Sequence, residues 1–155
     1  MLLVTYNING FRSAASRGLV SWLRAVNADV VALQEVRARR DQVELDALRA
    51  MGYKILWNAA QRPGYSGVAV LTKLPVHQVV TQTGVEEIDQ EGRLIKIDFG
   101  NWMLINGYFP TGAAGPKRMA YKLKFLEVVA NWLKGYPDQT GKPVLLAGDF
   151  NIALR

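Results

Sequence analysis

The chain has 155 residues, 50% of them hydrophobic and 21% charged, which is the length and balance of one globular domain rather than a disordered tract. It has no cysteine and no apolar run of about eighteen residues, so a disulfide framework, a thiolate metal site and a membrane-spanning helix are all excluded. The net charge is +6. Arg12, Arg17, Arg24, Arg37, Arg39 and Arg40 crowd the first forty residues, and Lys117, Arg118, Lys122, Lys124 and Lys134 crowd 115–134. The stretch 84–100 is acidic, with Glu86, Glu87, Asp89, Glu91 and Asp98. Two basic segments can track phosphates; two solvated helix faces would give the same pattern, and charge alone does not separate the readings.

In chain order, "LLVTYN" (2–7) reads as a short strand broken by the turn "NING". Leu19, Trp22, Leu23 and Val26 recur at helical spacing in "SRGLVSWLRAVN". "DVVALQE" (29–35) is a buried strand. The run 41–52 predicts a helix with Asp41 as N-cap, Glu44 three residues on and Gly52 as its stop. Strands follow at 54–59 and 67–73, then a hairpin of 93–99 and 102–109 around "GN". After "PTGAAGPKR", Pro116 opens a helix whose core face is expected to be Leu123, Leu126, Ala130 and Leu133, with Gly135 as its end. "PVLLAGDFN" (143–151) is the last strand. This mixed order predicts an α/β layered sandwich.

Several of these strands stay apolar until their C-terminal ends. Asn7 and Asn9 close the first, Gln34 and Glu35 the second, Asn106 and Tyr108 the hairpin's return, and Asp149 and Asn151 the last. In α/β sheets the ligand crevice lies outside the carboxyl ends of strands. If these ends share one edge, their oxygens suit a hard cation such as Mg²⁺. An Asp beside it could take a proton from water while an Asn donates to a phosphoryl oxygen. The bland alternative is that strand ends meet polar loops, and spacing alone names no reaction.

"TYNING" (5–10), "LQE" (33–35), "GYSGVAVLTK" (64–73), "DQEGRLI" (89–95), "NGYFP" (106–110) and "GDFN" (148–151) occur in that order. Together they resemble the exonuclease III-type apurinic/apyrimidinic endonucleases of the endonuclease/exonuclease/phosphatase superfamily, over essentially the whole chain, 1–155. The resemblance implies a DNase I-like four-layer α/β sandwich and an Mg²⁺-dependent nuclease, with Mn²⁺ as the alternative ion. Such an enzyme hydrolyses double-stranded DNA at abasic sites and 3′ ends. It implies Glu35 as metal ligand, Asn7 and Tyr108 in the catalytic cluster, Asp149 orienting or activating water, and Asn151 steadying the phosphoryl oxygen. Arg12, Tyr65 and Arg118 fall where relatives touch the DNA backbone. Thr111 departs from the Asn or Gln common at its position.

Relatives continue beyond "GDFN" through a second sheet that supplies a further aspartate, metal-ligand acids and a catalytic histidine. His77 does not match that histidine, and a surface or strand-edge place is expected for it. The chain is therefore expected to be the N-terminal half of the sandwich, by truncation, proteolysis or gene splitting. Its exposed sheet face would be covered by self-association or by a C-terminal half. No membrane partner or secretory signal is expected, and the implied location is cytoplasmic, nucleoid-associated in a prokaryote. The alternatives are a non-catalytic DNA-binding or assembly fragment and another phosphodiesterase of the superfamily.

Overall fold

A computed structural model describes residues 1–112, 115–134 and 141–152. One sheet holds β1 (Leu3–Asn7), β2 (Val30–Gln34), β3 (Lys54–Asn58) and β4 (Val68–Thr72) in the order β1-β2-β4-β3. The other holds β5 (Gln78–Val80), β6 (Leu94–Asp98), β7 (Met103–Tyr108) and β8 (Val144–Asp149) in chain order. β1 runs parallel to β2 and β7 parallel to β8, while the remaining pairs are antiparallel.

Period-2 alternation explains why β2 and β4 read as unbroken apolar runs, since both faces of each are buried. Val31, Leu33, Ala69 and Leu71 point away from the second sheet, into a core shared with α1 (Phe11–Ser16), α2 (Leu19–Val26) and α3 (Asp46–Ala50). Val30, Val68 and Val70 point the other way and meet Ile95, Ile97, Leu104 and Ala147 between the sheets. Beyond the second sheet, Leu94, Ile105 and Phe109 pack on Ile88 of α4 (Glu86–Asp89) and on Phe125 and Val129 of α5 (Pro116–Lys134). The order is helices, sheet, sheet, helices, the four layers of a DNase I-like sandwich; the expectation that the second sheet lies beyond "GDFN" is corrected, because β5 to β8 already form it among the described residues.

Four further sequence expectations need correction. The helix over 41–52 is a 3₁₀ turn at Arg40–Gln42 followed only by α3. Val43 is extended and Leu45 is buried, and Gln42 accepts the Arg39 N–H, so Asp41 caps nothing and pairs with Arg39 instead. The helix read from residue 16 begins only at Leu19, because Gly18 takes a left-handed φ of 99° and divides it from α1, a helix for which the sequence predicted no element. β5 and α4 were also unforeseen. On α5 the core face is not that of Leu123 and Leu126, which are exposed at 60% and 36%. The core stripe is buried Phe125 and Val129 with partly buried Tyr121, Val128, Trp132 and the expected Leu133, anchored by the Phe109 ring edge-on to Phe125 at 5.1 Å. Both stripes have helical spacing, and the larger aromatic one wins the core. The expected helix stop at Gly135 lies outside the described residues.

β1 and β8 each end their sheet's order and stand beside one another, and apolar side chains are exposed along this side. Leu145 shares a face with buried Ala147 yet is 42% exposed, and Leu2, Tyr6 and Ile152 are exposed too. Among the described residues, no helix is long and apolar enough to cross a membrane.

Candidate active site

The parallel pairs β1/β2 and β7/β8 place four strand C-termini at one end of the sandwich. Asn7 Nδ2 donates to Asp149 Oδ2 at 2.8 Å, which ties the end of the first strand to the end of the last across the two sheets. The other end of the same amide accepts the Asn9 N–H at 3.0 Å. Asp149 Oδ1 accepts the Asn151 N–H, and Asn151 Nδ2 donates to the Phe109 carbonyl at 2.7 Å. One hydrogen of the Asn151 amide is thereby committed to holding its own loop on β7.

Glu35 follows β2 in a left-handed conformation, φ 60°, and so does Arg37, φ 52°. Left-handed backbone costs a non-glycine residue about 1–3 kcal/mol and persists only where the surroundings fix it. Here they do. The Glu35 and Val36 carbonyls accept from Gly10 and Phe11, while the Val36 and Arg37 amides donate to Gly67 and Ser66. Gly67 has no room for a side chain, since a Cβ would sit 2.7 Å from Val36 Cγ2. The result aims the Glu35 carboxylate at the strand ends, where Arg37 pairs with it.

Tyr108 joins this group electrostatically. Burial pushes its phenol above the ordinary range, and the carboxylates of Glu35 and Asp149 add to that, while Arg93, whose guanidinium lies 4.7 Å from the ring centroid, opposes it. The phenol therefore stays protonated at neutral pH. Gly148 seats the neighbouring aspartate: its φ of 143° brings it against β7 so closely that a Cβ would lie 1.9 Å from the Gly107 carbonyl oxygen.

Gln34 and Asn106, counted among the strand-end polar groups, do not face a ligand. Gln34 Nε2 donates to Asn106 Oδ1 at 2.8 Å and to Thr5 and Ala32, and Asn106 Nδ2 donates to the carbonyls of Leu33 and Ala69. Both are buried, and they bolt the two sheets together as a satisfied polar network.

Tyr65 and Arg118 lie in an adjoining cleft of about 540 Å³ lined also by Gln61, Arg62, Gln90 and Glu91. The Tyr65 hydroxyl accepts from Arg93 and from Arg118, each at 3.0 Å. Glu91 and Arg93, quoted in "DQEGRLI" without a role, are thus central to the cleft. The signal was an acid and a base two apart in a motif, with nothing to show that both turn inward. Arg12 is exposed on α1 and is tied to neither cluster. The acidic segment also answers part of the basic one: Lys124 pairs with Glu87 and Arg118 with Glu91, so α5 is less cationic than its sequence. His77 is exposed and opens β5 by donating its backbone N–H to the Asp98 carbonyl.

Glu35 and Asp149 offer carboxylate oxygens on fixed backbone, a donor set that fits a hard divalent cation. Among the described residues no group of three or more acids and histidines gathers.

Comparison with known proteins agrees with this architecture. The chain is 36% identical over 154 residues to the exodeoxyribonuclease of Bacillus subtilis, covering 99% of this chain and 59% of that one. It is 29% identical to the DNA-(apurinic or apyrimidinic site) endonuclease of Dictyostelium discoideum, covering 99% and 42%. The chain thus spans about half the length of these curated relatives. The 3′-5′ exonuclease from Neisseria meningitidis superposes with a TM-score of 0.85 at 25% identity, covering 99% of this chain and 59% of that one. An AP endonuclease from Archaeoglobus fulgidus gives 0.81 at 26%, covering 99% and 58%. The sequence model of the Endonuclease/Exonuclease/phosphatase family matches residues 4–155, a span that runs from β1 through the acid and amides at the end of β8, and the chain belongs to that family.

Proposed function

We propose that this chain carries one part of the active site of a divalent-metal-dependent DNA-repair phosphodiesterase that cuts at abasic sites and trims 3′ ends. The observation that carries the reading is the Asn7–Asp149 hydrogen bond, which closes the two sheets over one acid-and-amide mouth beside Glu35 and Tyr108. Relatives named as exodeoxyribonuclease and as AP endonuclease support it. In this reading Glu35 holds the metal, which supplies charge neutralisation at the phosphoryl oxygens. In this proposal Asp149, oriented by Asn7, would take the proton of the water that attacks phosphorus as the P–O3′ bond breaks, and the departing O3′ would take a proton from solvent water to leave as a hydroxyl. Asn151 would donate its second amide hydrogen to a phosphoryl oxygen, and protonated Tyr108 would donate to the same phosphate. Arg12, Tyr65 and Arg118 bear on the DNA backbone, and an absent base makes extrusion of the sugar cheap. Mg²⁺ is the ion we expect, with Mn²⁺ replacing it.

A second reading has its own support. Only two carboxylates are described at the mouth, and the β1/β8 side exposes apolar groups. A DNA-binding part that cuts only once a second copy or a C-terminal half covers that side would look the same. One assay separates them: an end-labelled duplex with a single abasic site, incubated with the chain in Mg²⁺, Mn²⁺ or EDTA, beside Asp149→Asn. Metal-dependent nicking lost in the variant supports the enzyme. A gel shift without nicking supports the binding part, and neither cutting nor binding overturns both.

A further inference from the structure

Between β6 and the cleft, one carboxylate holds two guanidiniums. Arg118 Nη1 donates to Glu91 Oε1 at 2.9 Å and Nη2 to Oε2 at 3.0 Å, a parallel two-point pair, while Arg93 Nε donates to the same Oε2. Arg93 spends its remaining reach on Tyr65 and on the Tyr108 carbonyl at 3.0 Å, and the Tyr108 N–H returns to the Arg93 carbonyl at 2.9 Å. The turn beneath is fixed, because Gly92 sits where a Cβ would lie 2.5 Å from the Ala59 carbonyl carbon.

Neutralising a buried cation does not explain this arrangement. The Arg93 side chain is only 4% exposed and needs one counter-charge, which Glu91 supplies. Arg118 is 22% exposed and could reach solvent, yet it is forked onto the same acid despite repulsion from Arg93. Counting donors shows what the arrangement leaves outward. Arg118 uses three of its five N–H groups on Glu91 and Tyr65, which leaves two. The Tyr65 oxygen accepts twice, so its own hydrogen is left to donate. With Arg62 over the Tyr65 ring, three guanidiniums lie against that one phenol while a single carboxylate answers two of them, and the cleft favours an anion.

We infer that Glu91 and Arg93 are positioning residues: they lock the outward donors of Tyr65 and Arg118 to Tyr108, so that a DNA phosphate in the cleft and the reacting phosphate at the strand ends are held in fixed register. This rests on the DNA-phosphodiesterase reading. It makes a prediction of opposite sign to simple charge. Removing an acid beside a polyanion site should tighten DNA, whereas removing a positioning acid should loosen it.

The test is fluorescence anisotropy of a labelled duplex carrying an abasic-site analogue, in EDTA, with the full chain and with Glu91→Gln, Arg118→Ala and the double variant; melting is followed in parallel. Glu91→Gln is expected to weaken binding about tenfold, and the double variant to match Arg118→Ala within about twofold, since coupled partners are not additive. Glu86→Gln, an exposed acid of the same segment, should bind as well as the parent or better. If Glu91→Gln fails to fold, Arg118→Lys, which keeps the charge without the fork, should lose as much as Arg118→Ala. Parent-like or tighter binding by Glu91→Gln, or by Arg118→Lys, overturns the inference and leaves the DNA reading standing. A parent chain that binds no duplex overturns that reading, and the inference with it.

Discussion

At the strand ends the polar atoms belong to acids and amides held by left-handed backbone, whereas one side chain away, around Glu91, they belong to guanidiniums and a phenol held by a carboxylate. The first group takes the geometry of Glu35 from main-chain hydrogen bonds at Glu35, Val36 and Arg37, and its carboxylates, though each has a partner, keep further lone pairs to act with. The second takes its geometry from the side chains themselves, so each donor is partly spent on its neighbour. A mouth that must accept a cation and move a proton needs unspent oxygens. A cleft that must hold an anion in one place can spend donors on rigidity. Arg93, under Tyr108 on one side and against Tyr65 on the other, is where the two meet.

The comparison breaks most completely at Gly148. Gly148→Ala forces a methyl group into the Gly107 carbonyl oxygen and should cost about 3 kcal/mol or leave the chain unfolded, read by denaturant melts. Next in size, Glu35→Gln and Asp149→Asn should each lower metal-dependent nicking by roughly 100-fold or more while melting stays near the parent. A retained rate in either would remove it from the mouth. Gln34→Leu sharpens the contrast between acting and structural amides. It orphans Asn106 Oδ1 in the core and should cost about 1–3 kcal/mol without changing affinity for duplex.

The cleft should show itself in acid. Burial pushes the Glu91 carboxyl up, but hydrogen bonds from Arg118 and then Arg93 outweigh it and hold the group below its ordinary 4.5. A group lowered in the folded state contributes fully above about pH 4.5 and loses that contribution as the pH falls through its lower folded value. Melting midpoints between pH 7 and pH 3 should therefore fall less steeply in Glu91→Gln than in the parent. The smallest effect is expected at Arg12, bonded to neither cluster. Arg12→Ala should leave stability unchanged and reduce the salt slope of DNA binding by about 1.

The strands were legible because burial on both faces writes itself as apolar runs, as in "VVAL" and "VAVL". Their convergence was not, because nothing local says that β1 and β8 will neighbour each other; that follows from the sheet order. Two stripes of equal period lay on α5, and only the ring contact of Phe125 with Phe109, outside the helix, decides between them. Asn106 and Asn7 are both amides at or near strand ends, yet one is sealed between sheets and the other sits at the mouth. Residue type gave the inventory of the site, and the resemblance to a family gave the reaction proposed for it. The role of Glu91 needed the fold, because a carboxylate forked by a guanidinium 27 residues away in sequence leaves no local pattern.

The Asn7–Asp149 hydrogen bond has a consequence for biosynthesis. Its partners are separated by 142 residues, so a growing chain holds the amide on the order of ten seconds before the acid is made. Until β8 emerges and pairs beside β7, the first strand's end has no acid to orient. A nascent chain that touches nucleic acid through its early arginines therefore does so without the group proposed to take a proton from water, and the proposed capacity to cut would be withheld until the scaffold that directs it is in place.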